Sequence, residues 1–205
     1  MSGRLSFAKS QPLSGVLGGE RLPVEDKLRT DRAEGETQSP QAAGGHKSEE
    51  KIMKTIASFT VDHDKLEKGM YVSRVDGDVV TYDIRMKKPN MGDYLNNGQL
   101  HTFEHLFATY ARNTELSDSV IYVGPMGCRT GFYLLLRDDA SKEKAIELVQ
   151  ESFKFISTFE GVIPGSKRQE CGNYLEHDLP GAREVAKDML EVLKDWTPED
   201  MEYVK

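Results

Sequence analysis

The sequence predicts an α+β fold: a single two-layer domain in which an antiparallel sheet packs against helices, with a disordered N-terminal extension. Three observations predict it. Residues 78–86 alternate apolar and polar in the period of a strand. Two short apolar runs, Ser119–Val123 and Gly131–Leu136, flank the turn-forming stretch Gly124-Pro-Met-Gly127. Three further segments repeat apolar residues every three or four positions, the spacing of one helix face. At 205 residues the chain holds one ordinary domain and one substantial core.

Residues 1–53 differ in composition from the rest of the chain. The first fifty carry seven glycines, six serines and three prolines, one aromatic (Phe7), and charges of mixed sign without sustained period. Such a stretch buries too little apolar surface to offset the entropy of ordering. It reads as a tail, or as the result of a start placed ahead of Met53, where the folded pattern opens. Residues 1–19 contain Arg4 and Lys9 and no acid, but lack the apolar run of a secretory signal. The folded domain is therefore expected over 54–205.

Within it, Val80, Tyr82, Ile84 and Met86 share one strand face and Thr81, Asp83 and Arg85 the other. A break at Lys87-Lys88-Pro89-Asn90 is followed by a helix over 99–113, with Leu100, Phe103, Phe107 and Tyr110 on one side. After the paired runs, residues 141–159 form an amphipathic helix that ends at Gly161. A strand is expected around Gln169–Gly172. Pro180-Gly181 then opens a last helix presenting Val185, Met189, Val192 and Trp196. Strand order is not readable from this pattern.

The net charge of −7 argues against a dedicated nucleic-acid binder, whose footprint is basic. No stretch approaches the roughly 18 apolar residues of a membrane helix. The two cysteines, Cys128 and Cys171, are too few for a disulfide scaffold. A soluble cytoplasmic protein is expected, without nucleic-acid or membrane partners.

The sharpest local signal is His101-Thr-Phe-Glu-His105. Histidines four apart on a helix lie one above the other, so both imidazoles reach one metal ion, with Glu104 projecting beside it. A catalytic site wants three protein ligands and one open position. Cys171 is the natural third, with His63 and His177 as competing candidates. A thiolate ligand excludes Mg²⁺ and Ca²⁺ and favours Zn²⁺ or Fe²⁺. Cys128 lies in Gly124-Pro-Met-Gly-Cys-Arg-Thr-Gly131, where the adjacent Arg129 is placed to favour a thiolate.

Six blocks occur in order: Ser58-Phe-Thr-Val-Asp-His63, Tyr82-Asp-Ile-Arg85, Pro89-Asn90, the His101–His105 pentapeptide, Pro125-Met-Gly-Cys-Arg-Thr-Gly-Phe-Tyr133, and Cys171-Gly172. Together they resemble the S-ribosylhomocysteine lyase family, the makers of autoinducer-2, over about residues 56–198. The resemblance implies cleavage of S-ribosyl-L-homocysteine to L-homocysteine and 4,5-dihydroxy-2,3-pentanedione. Two carbonyl migrations, through enediolates that need a Lewis acid, carry the aldehyde from C1 to C3, and β-elimination then expels the thiol. It further implies Cys128 and Glu104 as catalytic acid/base groups and Arg85, Ser58 and His63 as substrate-binding residues. His101, His105 and Cys171 become ligands of one Fe²⁺ per subunit, which Zn²⁺ or Co²⁺ can replace, and the family's homodimer has its sites at the subunit interface.

Two other readings of the motif stand beside this one. An inverted His-x-x-Glu-His zinc metallopeptidase would use Glu104 to activate water, but leaves Cys128 without a task. A structural zinc module would close the site with a fourth ligand, His63 or His177.

Overall fold

The computed structural model describes Ile56 and residues 59–203; the expected extension over 1–53 lies outside the described residues, and so does Ser58. The elements run β1 (Gly69–Asp76), β2 (Val79–Arg85), α1 (Asn97–Ala111), β3 (Val120–Pro125), β4 (Gly131–Arg137), α2 (Lys142–Thr158) and α3 (Leu179–Leu193). The sheet has the order β1-β2-β4-β3, and every neighbouring pair is antiparallel. The α+β prediction therefore holds. None of the described helices is long and apolar enough to cross a membrane.

One face of the sheet and the three helices enclose the core. Tyr82, Ile84, Phe132 and Leu134 meet Phe103, Phe107, Phe153 and Met189, all buried. Phe103 packs on Phe107, Phe132 and Phe153 with ring centroids 6.1, 5.2 and 5.0 Å away. Aromatic pairs at this spacing add to the burial of their area.

Two expectations are corrected, the strand at Gln169–Gly172 and the place of Trp196, and two further features lie outside the sequence pattern. The stretch Gln169–Gly172 is not a strand: Glu170 and Cys171 both donate their N–H to the Lys167 carbonyl, at 2.9 and 3.0 Å, which winds the chain into a turn. Strand β1 was absent from the pattern because a register shift between Val72 and Arg74 interrupts its alternation. The second face of β2 is buried as well, with Asp83 and Arg85 each 3% exposed. Trp196, expected on the last helix, lies beyond it and donates its indole N–H to the Met70 carbonyl at 2.9 Å.

Close pairing of β2 and β4 depends on Gly131, opposite Arg85. A Cβ at that position would sit 2.0 Å from the Ile84 carbonyl oxygen, which is backbone and cannot swing aside. Gly131→Ala is expected to destabilise the domain by about 3 kcal/mol, the upper end of ordinary overpacking. Denaturant unfolding of the variant measures this directly; a cost within experimental error would show that the strands part without penalty.

Candidate metal centre and the arginine-paired cysteine

Helix α1 begins with a capping box: the Asn96 side chain accepts from Gln99 N at 2.7 Å, and Gln99 Oε1 accepts from Asn96 N at 2.9 Å. Asp178 caps α3 by accepting from Gly181 N at 2.9 Å. The backbone N–H of Asp178 is shared between the Gly98 carbonyl and Thr102 Oγ1, at 3.1 and 2.9 Å. These bonds tie the first turns of α1 and α3 together, so the segment before α3 is held over the histidines of α1.

His101 and His105 sit one turn apart, ring centroids 4.6 Å apart and planes 87° apart. Each has its Nδ1 on a backbone carbonyl: His101 on Glu176 at 2.9 Å, His105 on Pro164 at 2.7 Å. A carbonyl only accepts, so both Nδ1 atoms donate and both Nε2 atoms carry the lone pair, the tautomer a metal site needs. Gly165 follows Pro164 with φ of 71°, and a Cβ there would lie 3.2 Å from His105 Nδ1. Glycine thus supplies both the left-handed backbone and the close approach.

Cys171 Sγ lies 3.2 Å from His101 Nε2 and accepts from Asn173 N at 3.4 Å. Among the described residues, His101, His105, Cys171 and His177 offer ligand atoms that all lie within 4.8 Å of one another. Two or three imidazoles and a thiol suit Zn²⁺, Fe²⁺ or Co²⁺ and not Mg²⁺ or Ca²⁺. His177 stacks on His101, centroids 4.2 Å apart and planes within 17°. Its Nδ1 is 3.2 Å from Thr102 Oγ1, and its buried Nε2 has no hydrogen-bond partner. Burial, then the nearby His101 and His105, hold His177 below the ordinary imidazole value.

Glu104 is partly buried on α1 between the two histidines and is not one of the clustered donors. His63 is not in the cluster either. Its Nδ1 bonds the Val61 carbonyl at 2.9 Å, beside a turn in which Asp62 Oδ1 accepts from Asp64 N.

Cys128 is exposed, and its Sγ is 3.0 Å from Thr130 Oγ1 and 3.8 Å from Arg85 Nη1. Arg85 Nη1 also donates to Thr130 Oγ1 at 2.5 Å. The expected cation at this thiol was Arg129, but Arg129 adopts φ of 59° and its guanidinium lies over the Tyr94 ring, 5.7 Å from the centroid. The cation at the thiol is Arg85. Asp83 holds it with both oxygens, Oδ1 to Nε at 3.1 Å and Oδ2 to Nη2 at 2.5 Å. Burial alone would weaken the guanidinium's charge; the charge and hydrogen bonds of Asp83 outweigh it and hold Arg85 above even its ordinary value. The sequence pattern placed Asp83 on the strand face of Arg85 without a role, and gave no role to Thr130, Thr102 or Tyr203. Only strand alternation, which puts Asp83 on the face of Arg85, pointed to any of them.

A compact α+β domain that gathers imidazoles and a thiol at one point, and holds a second thiol on a buried arginine, has the make-up of a metal-dependent enzyme. The model of the S-ribosylhomocysteinase (LuxS) family matches residues 56–200, and the chain belongs to that family. It is 53% identical over 157 residues to the S-ribosylhomocysteine lyase of Phocaeicola vulgatus, covering 74% of this chain and 98% of the relative. Identity to the S-ribosylhomocysteine lyase of Porphyromonas gingivalis is 48%, and to that of Clostridium beijerinckii 45%, each covering 74% of this chain and 99% of the relative.

Proposed function

We propose that this chain cleaves S-ribosyl-L-homocysteine to L-homocysteine and 4,5-dihydroxy-2,3-pentanedione, with His101, His105 and Cys171 holding Fe²⁺ and Zn²⁺ or Co²⁺ able to replace it. The observation that carries the reading is the cluster of imidazoles and thiol, carbonyl-anchored for metal binding, in a member of the lyase family. A metallopeptidase reading is not favoured, since it leaves the Arg85-paired Cys128 idle.

The choice of three ligands rests on ring geometry. An imidazole lone pair lies in its ring plane, so rings at a steep angle can aim at one point while stacked parallel rings cannot. His105 crosses His101 at 87° and His177 at 76°, while His101 and His177 are nearly parallel, so only one of those two can join His105. Cys171 Sγ, 3.2 Å from His101 Nε2, favours His101. His177 then serves as a wall behind His101, and an ion held by the three ligands would be able to take a substrate oxygen as well.

A divalent ion in this site supplies Lewis-acid stabilisation of negative charge on substrate oxygen. Cys128, as thiolate, removes the proton from the carbon next to the carbonyl and returns it to the neighbouring carbon, twice, as the carbonyl moves from C1 to C3. Glu104 carries the matching protons between oxygens and then takes the C4 proton. The electron pair of that C–H bond forms the C4–C5 double bond, the C5–S bond breaks to release homocysteine thiolate, and the resulting enol takes a proton at C5 to become the dione. Arg85 sets a positive charge 3.8 Å from the Cys128 sulfur and, with Ser58 and His63, binds substrate. A cytoplasmic homodimer completes the reading, with the Ser58–His63 strip reaching a neighbouring subunit's site.

Thiol release from S-ribosylhomocysteine by anaerobically purified protein, followed with a thiol reagent, tests the function. Stoichiometric homocysteine is expected; cleavage of denatured casein with no thiol release would overturn it. We place residues 1–53 outside the catalytic domain. Deleting residues 1–52 is expected to leave turnover and thermal midpoint unchanged, and a large fall in either would show that the segment supports the fold.

A further inference from the structure

We propose that Tyr203 is a positioning residue for Cys128, acting through Asp83 and Arg85, so that the C-terminal segment sets the reactivity of the catalytic thiol. This rests on the reading of Cys128 as a thiolate base. Tyr203 donates its hydroxyl to Asp83 Oδ2 at 2.9 Å. Asp83 Oδ2 also takes Arg85 Nη2, and the far edge of the same guanidinium meets Thr130 and Cys128. The chain of contacts is continuous from the phenol to the sulfur.

The C-terminal segment is built to deliver this phenol. Trp196 is fixed by its bond to the Met70 carbonyl and lies against Gly69, where a Cβ would be 2.4 Å from the indole. Thr197 and Asp200 form a capping box on the short turn Pro198–Met201, and Met201 is fully buried. Tyr203 then stacks on Tyr71, centroids 5.1 Å apart and planes within 22°, and Tyr71 meets Trp196 edge-on at 5.9 Å. Burial, then the charge of Asp83, push the Tyr203 phenol above its ordinary range, so it remains a donor.

Two effects of this donor act in the same direction. It draws negative charge on Asp83 toward itself, leaving more of Arg85's positive charge for Cys128. It also fixes the carboxylate that fixes the guanidinium. Without it, Asp83 neutralises Arg85 more fully and the pair has more freedom, so the thiolate loses support.

The test is alkylation of Cys128 by iodoacetamide in metal-loaded protein, located by peptide mass spectrometry, with thiolate ultraviolet absorbance as a second readout. Tyr203→Phe keeps the ring stack and is expected to keep the thermal midpoint, while slowing Cys128 alkylation about fivefold, the scale of one hydrogen bond. Tyr203→Ala is expected to lower the midpoint and to slow alkylation to the same degree. A Tyr203→Phe variant that alkylates at the wild-type rate overturns the inference, because then the ring alone matters. The outcome is separable from the proposed lyase reaction: slowed alkylation in a protein that releases no homocysteine would retain the coupling and sink the function, and unchanged alkylation in an active lyase would do the reverse.

Discussion

Cys128→Ala and Glu104→Gln are each expected to abolish most thiol release, by at least about 10²-fold, the scale of a positioned acid or base, while retaining about one metal per chain. Neither residue belongs to the group of clustered donors, so neither substitution removes a ligand. The two should differ in what survives. With alanine at position 128 the carbon-bound proton has no acceptor, and the first carbonyl migration fails. Glutamine at position 104 still hydrogen-bonds but does not take a proton, so exchange at C2 catalysed by Cys128 should continue while elimination stops. Incubation in deuterated water, with deuterium at C2 followed by mass spectrometry, separates these cases. Loss of metal from Glu104→Gln would make Glu104 a ligand and overturn its assignment as a proton carrier.

How much of this was legible in the sequence depends on the range of the contacts. Helix α1 and its paired histidines were readable because both the apolar stripe and the four-residue spacing are local. The paired strands β3 and β4 were readable from their flanking turn. Cys171 could be chosen as a ligand by residue type, yet the turn that carries it could not, because the bonds of Glu170 and Cys171 to Lys167 leave no apolar period. The cation at Cys128 was misread for a related reason. Arg129 is adjacent in sequence, but its left-handed backbone and its stack on Tyr94 hold its charge elsewhere. Arg85 is 43 residues away in sequence, and the β2–β4 register that sets it opposite Gly131 brings it to the thiol.

The buried charge pair shows the same limit from the other side. Asp83 and Arg85 alternate with Tyr82 and Ile84, so the period places them on the face away from the core, and a polar face of that kind is ordinarily solvated. They are covered where the chain returns at Tyr203, which bonds Asp83 across 120 residues and stacks on Tyr71. No local pattern contains that return. Breaking one partner of such a buried pair costs more than either is worth exposed, so the cover and the pair depend on one another.

Removing any one of His101, His105 or Cys171 by substitution with alanine is expected to leave little metal after dialysis against a chelator, and with it no turnover. Each of the three has a donor whose geometry is already set by the fold: two imidazoles pinned through Nδ1 to backbone carbonyls, and a sulfur 3.2 Å from one of them. His177→Gln is the informative companion. If His177 is a wall behind His101, the variant should still bind one metal per chain at saturation, with affinity lower by about 10- to 100-fold, the usual effect of losing support around a ligand. Its cobalt-loaded form should keep the ligand-field spectrum of a site with an exchangeable water. Should His177→Gln instead lose metal as completely as Cys171→Ala, or change the cobalt spectrum by one nitrogen ligand, the resting site would have four protein donors. Substrate would then have to displace His177 to reach the metal, and the parallel stack on His101 would not persist in the loaded enzyme.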